Sequence, residues 1–171
     1  MKTRDRAGGV PGPRTPWEEI TPGLWMGGHV RTDEYGTVHP VVVACGFDVV
    51  VSLVDLPGHG PGDPGVEHVV ADLPDAPLTA GQLATVARLA RGAARVVRDG
   101  RTILVRCHAG YNRSGLVVAQ TLVELGHDAA SAIALVRRHR SPWALNNPVF
   151  EQYLRCGLDV AGLLAGLEPR P

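Results

Sequence analysis

Cys107 and Arg113 stand six positions apart in the stretch Val105-Arg106-Cys107-His108-Ala109-Gly110-Tyr111-Asn112-Arg113-Ser114-Gly115. A glycine lies between them, and a hydroxyl residue and a second glycine follow. The apolar run Thr102-Ile103-Leu104-Val105 predicts a short buried strand entering this stretch, and Leu116 to Leu125 predicts a helix leaving it. A tight loop between a strand and a helix start can hold an anion. Its successive backbone N–H groups turn inward, and the helix N-terminus adds partial positive charge. Arg113 adds a planar fork of donors that matches two oxygens of a phosphate. The same field favours the thiolate of Cys107, the nucleophilic form of the side chain. The residues therefore predict a loop that binds phosphate and aims a nucleophile at it.

The pattern resembles the protein tyrosine phosphatase signature Cys-x5-Arg, and the form Cys-x-Ala-Gly-x-Asn-Arg-Ser-Gly is most similar to the dual-specificity branch. Two further phrases carry the resemblance: Ile20-Thr21-Pro22-Gly23-Leu24-Trp25-Met26-Gly27-Gly28 near the start, and Arg140-Ser141-Pro142-Trp143-Ala144-Leu145-Asn146-Asn147-Pro148-Val149-Phe150 near the end. The resemblance implies metal-free, cofactor-free hydrolysis through a phosphocysteine on Cys107. It places the backbone of His108, Ala109, Gly110, Tyr111, Asn112 and Arg113, with the Arg113 side chain, around the non-bridging oxygens. Ser114 takes the position of the hydroxyl that hydrogen-bonds the sulfur and helps the intermediate break down. A general acid is also implied, about thirty residues before the cysteine. Asp75, 32 positions before Cys107, fits that spacing better than Asp72, 35 positions before it. His108 and Tyr111 are expected at the pocket rim or facing solvent, and Asn112 as a brace.

In one place the chain departs from the family, which usually has histidine before the cysteine where this chain has Arg106. A fixed charge there could favour the thiolate, or it could face a carboxylate on the far side of the sheet. The implied substrate is a phosphorylated protein or peptide, carrying phosphotyrosine and also phosphoserine or phosphothreonine. Two alternatives stay open, an RNA 5′-triphosphatase-like or other non-protein phosphatase, and a catalytically inactive phosphate-binding module.

The elements that must position this loop alternate along the chain and predict an α/β fold with a central, mostly parallel sheet flanked by helices. Residues 1–16, rich in Gly, Pro, Arg and Thr, are expected to be a disordered tail, with the domain spanning 17–166 and a short tail at 167–171. Glu18–Ile20 and Leu24–Met26 flank a Thr-Pro-Gly turn and predict a hairpin. Residues 29–36 read as a loop. Val38–Ala44 suits strand or helix by propensity, and the resemblance favours helix. Asp48–Val54 and Val66–Val70 predict strands on either side of the Pro- and Gly-rich stretch 56–65. Thr79 caps an amphipathic helix running from Gln82 to Val97 and closed by Asp99-Gly100. Asp128 is a candidate cap for a helix at 129–138, whose basic end Arg137-Arg138-His139-Arg140 reads as solvated. Asn147-Pro148 starts a last helix through Leu164.

Seventeen basic and seventeen acidic residues cancel, which argues against nucleic acid or an acidic membrane as a partner. No apolar run predicts a membrane span and no signal peptide is evident. Cys45, Cys107 and Cys156 are odd in number and widely spaced, so neither a disulfide framework nor a zinc site is expected. Cys45 and Cys156 read as buried bystanders. A monomer in the reducing cytoplasm is the expectation.

Overall fold

The structure, a computed structural model, describes residues 9–167. The central sheet contains β1 (Trp17–Thr21), β2 (Leu24–Gly28), β5 (Val49–Ser52), β6 (Glu67–Val70) and β7 (Ile103–Cys107). Their order is β1-β2-β7-β5-β6; β1 is antiparallel to β2, and the other four are parallel. A separate ribbon pairs β3 (Val30–Thr32) with β4 (Val38–Pro40). Of the five helices, α1 (Ala80–Arg98) lies between β6 and β7, and α2 (Arg113–Glu124), α3 (Ala129–His139), α4 (Pro148–Cys156) and α5 (Leu158–Leu167) follow β7. The predicted α/β architecture with a mostly parallel sheet is the observed one.

Strand alternation divides the core into two clusters. Met26, Val51, Val105 and Cys107 face the cluster to which all five helices contribute, including Leu83, Leu116, Ile133, Phe150 and Leu158. Val50 and Leu104 point the other way, against Val43, Phe47, Trp17 and Trp25. β7 is buried along its whole length between β2 and β5, as a central strand of a parallel sheet should be, and that burial includes Arg106. Among the described residues no helix is long and apolar enough to cross a membrane.

Local signals fixed several boundaries. Thr79 and Gln82 form a full capping box: Thr79 Oγ1 accepts from the Gln82 N–H, and Gln82 Oε1 accepts from the Thr79 N–H. Asp128 accepts from Ser131 N at 2.7 Å and starts α3, and Asn147 caps α4 ahead of Pro148.

Val38–Ala44 is not a helix. Pro40 ends β4, and residues 41–44 are in no helix or strand, with Val41 and Val43 buried and Val42 exposed. That period-two burial, on β-branched side chains that suit it, decides against helix. The loop expected at 29–36 contains the short strand β3. The single helix expected through Leu164 is broken at Gly157, which adopts φ +91° and turns the chain from α4 into α5.

Of the tail expected through Pro16, residues 1–8 lie outside the described residues, as do 168–171 of the C-terminal tail. Residues 11–16 are ordered against the domain. The N–H groups of Thr32 and Gly28 donate to Pro13 O and Pro16 O, and Pro13 is buried. The composition of this segment argues against a self-supporting structure, but its carbonyls are taken up by neighbours distant in sequence.

Candidate active site

β7 delivers Cys107 as its last residue, and α2 begins at Arg113, so the five residues between them form the anion loop. Gly110 adopts φ +74°, and a Cβ there would lie 2.5 Å from the Gly27 backbone, so only glycine fits without displacement. His29, the residue after β2, holds the start of the loop, its backbone nitrogen lying 3.0 Å from Cys107 O and 2.8 Å from His108 O.

Asn112 occupies the N-cap of α2 yet makes no side-chain cap bond. Its amide is turned outward: Nδ2 donates to Asp75 Oδ2 at 3.0 Å and to Asn146 Oδ1 at 3.3 Å, and Oδ1 accepts from Asn147 N at 3.0 Å. The N-terminus of α2 is thus left without a side-chain cap on the side where an anion would sit. Arg113 anchors one edge of its guanidinium by donating from Nη1 to Leu73 O at 3.2 Å, while its buried Nε has no hydrogen-bond partner. A buried donor without an acceptor is costly unless a guest supplies one. Cys107 is 2% exposed, with its sulfur 3.3 Å from Ser114 Oγ, and Ser114 is fully buried. The loop thus brings a thiol, a hydroxyl and an unsatisfied guanidinium together.

Asp75 reaches the loop, but its carboxylate is clasped: Oδ2 accepts from Asn112 and Oδ1 from Asn147 Nδ2, each at 3.0 Å. Asp72 is exposed and makes no hydrogen bond among the described residues. It directly precedes Leu73, whose carbonyl holds Arg113.

Arg106 faces away from Cys107, as alternation along β7 requires, and among the described residues it forms no ion pair with a carboxylate. Its Nε donates to Ser52 Oγ at 2.9 Å, Nη1 to His59 O at 2.9 Å and Nη2 to Gly60 O. It is 1% exposed, and burial lowers its pKa to about 10. Arg106 thus pins the 56–62 loop to the strand that carries the cysteine.

Several residues expected at the surface are not there. Tyr111 is buried, and its hydroxyl donates to Pro11 O at 3.0 Å. Arg140 is buried against the loop, and Arg137 is bonded to Ala144 O, Leu145 O and Glu151; only Arg138 and His139 of the basic run are exposed. Conversely, Cys45 and Cys156, expected to be buried, are exposed and free. Cys45 sits in the turn before Gly46, and Cys156 ends α4. His108 is half-buried on the loop.

His29 was missed by the sequence reading, since a lone histidine in a polar stretch gives no signal. It is 1% exposed and neither ring nitrogen makes a hydrogen bond of good geometry. Burial, then the charges of Arg106 and His59, lowers its pKa from 6.5 to about 3. The native ring stays neutral where the unfolded chain takes up a proton, so its contribution is complete above pH 6.5 and is lost as pH falls toward 3. The slope is about 1.4 kcal/mol per pH unit, and His68, also lowered by burial, acts in the same direction. Denaturant unfolding is expected to show stability falling by about 2 kcal/mol between pH 6.5 and pH 5, with the fall largely removed in His29→Leu. Equal parent stability at both pH values contradicts this.

No protein-family model matches the chain, and no curated protein matches it in sequence. Solved structures do match. A mouse putative dual specificity phosphatase, crystallised with zinc tungstate, is 22% identical with a TM-score of 0.64, over 93% of this chain and 96% of that one. Human DUSP28 is 21% identical with a TM-score of 0.66, over 92% and 99%. OH1, a tyrosine phosphatase of Orf virus, is 16% identical with a TM-score of 0.57, over 88% and 93%. Strand order, the loop between β7 and α2 and these likenesses over nearly full chain lengths lead to one conclusion: the chain has the fold of the dual-specificity phosphatases.

Proposed function

We propose that the protein is a cysteine-dependent phosphatase that hydrolyses phosphomonoesters of phosphorylated proteins or peptides, phosphotyrosine and also phosphoserine or phosphothreonine, through a phosphocysteine intermediate. The observation that carries this reading is the buried, unpartnered Nε of Arg113 beside a loop whose floor is Cys107 and Ser114. The fold neighbours, described as dual-specificity and tyrosine phosphatases, support it. The thiolate attacks phosphorus in line; the loop amides from His108 to Arg113 and the Arg113 fork hold the three non-bridging oxygens as charge shifts onto the leaving oxygen. Ser114, 3.3 Å from the sulfur, donates to it as water cleaves the sulfur–phosphorus bond.

Spacing pointed to Asp75 as the acid. We assign Asp75 instead to fastening the 72–78 loop, because both its oxygens are turned to the amides of Asn112 and Asn147. Asp72, unbonded and adjacent to the carbonyl that holds Arg113, is the carboxyl free to deliver a proton. Hydrolysis of an aryl phosphate in EDTA tests both points. Asp72→Asn is expected to lower kcat by about 10²–10³-fold and Asp75→Asn by less than about tenfold. The reverse order returns the acid role to Asp75, and no EDTA-resistant hydrolysis by the folded parent overturns the phosphatase reading.

A further inference from the structure

A loop that turns its N–H groups inward to an anion turns its carbonyls outward, and buried carbonyls need donors. Here a single side chain from a distant helix supplies two of them. Arg140, at the C-cap of α3, donates from Nε to Gly110 O at 3.1 Å and from Nη2 to Ala109 O at 3.2 Å. Its third nitrogen, Nη1, donates to the backbone and hydroxyl oxygens of Thr15, both at 3.1 Å. The guanidinium lies 6.0 Å from the centroid of the Tyr111 ring, and Tyr111 in turn donates to Pro11 O. Arg140 therefore ties the loop to the 11–16 segment as well as to α3.

Arg140 is 8% exposed and makes no ion pair among the described residues. The ionisable groups that act on it are Tyr111, Cys107 and, more weakly, Glu18 of β1. A buried cation bonded only to neutral oxygens lacks its counter-charge. The negative end of α3 supplies part of it. The remainder is met when the pocket holds a thiolate or a phosphate.

We propose that Arg140 is a positioning residue of the anion loop, setting its shape through the Ala109 and Gly110 carbonyls and favouring a negative guest through its buried charge. This rests on the phosphatase reading for its biological use, but its test does not need turnover. Lysine at this position keeps the charge and loses the fork, because one ammonium cannot span both carbonyls and Thr15. Methionine loses both.

The experiment uses the full chain and two variants, Arg140→Lys and Arg140→Met, with Arg138→Met, an exposed neighbour on α3, as control. Iodoacetamide alkylation of Cys107 at pH 6 reads thiolate reactivity, and protection by inorganic phosphate reads anion affinity. Arg140→Met is expected to slow alkylation about tenfold and weaken protection at least about tenfold, as for a lost charge-assisted bond. Arg140→Lys should restore the alkylation rate to within about threefold while protection stays weak, a split that general loosening of the fold would not produce. Arg138→Met should change neither. Parent-like protection in Arg140→Lys overturns the proposal, and this arm stands even where Arg140→Met fails to fold. Parent protein that binds phosphate but never turns over overturns the phosphatase reading alone.

Discussion

Cys107→Ser is expected to lower turnover of an aryl phosphate by at least about 10⁴-fold while inorganic phosphate still binds. The two halves of that outcome come from different atoms. Turnover needs the sulfur nucleophile, and a serine hydroxyl in the same place is a far weaker one. On the proposed mechanism binding rests on the loop N–H groups and the Arg113 fork, whose unpartnered Nε is untouched by the substitution. The exchange is nearly isosteric at a site 2% exposed, so the fold should tolerate it. Steady-state kinetics and phosphate titration of the same preparation check both halves. Residual activity within tenfold of the parent would remove Cys107 from the mechanism.

Arg106→Met is expected to cost about 3 kcal/mol of stability, a larger effect than any catalytic defect it causes. The side chain lies on the face of β7 opposite Cys107 and satisfies three acceptors: Ser52 Oγ and the carbonyls of His59 and Gly60. Removing it leaves those groups buried or half-buried without their donor, and Ser52 keeps only His68 Nε2 at 2.8 Å. The 56–62 loop is also tied to Val43, whose N–H donates to His59 O at 3.1 Å, so its release should expose that buried side chain. Arg106→His should recover little, because an imidazole cannot reach all three oxygens. Denaturant midpoints check this, with kcat at low temperature staying within about tenfold of the parent in the folded fraction. A midpoint change under about 1 kcal/mol contradicts it.

These two arginines show where the sequence was readable and where it was not. Residues 103–118 declared a strand, a loop and a helix by local chemistry alone, and Thr79 with Gln82 announced the start of α1 by a short-range hydrogen-bond pair. Such signals lie within a few positions of what they control. Arg106 and Arg140 are defined by partners 30 to 125 positions away, so nothing near them in sequence marks one as a loop pin and the other as a loop brace. Tyr111 was misplaced for the same reason, since its partner Pro11 is 100 positions distant in a segment whose composition suggests disorder. Val38–Ala44 was a different kind of error. Its valines suit strand as well as helix, and what decides between them is the alternating burial of Val41 and Val43, which only the packed fold shows. Asp75 and Asp72 lie three positions apart, closer than spacing can resolve, and what distinguishes them is that the Asp75 carboxylate accepts from Asn112 and Asn147.

The central claim is a covalent phosphoryl–cysteine step, and the most direct test is to catch it. Parent protein mixed with a stoichiometric excess of aryl phosphate and quenched in acid within milliseconds should release a burst of phenol approaching one equivalent. The quenched chain should gain one phosphoryl group, mapped to the peptide containing Cys107 and absent in Cys107→Ser. Hydrolysis that proceeds with no burst and no modified Cys107, and that survives Cys107→Ser, would contradict the account.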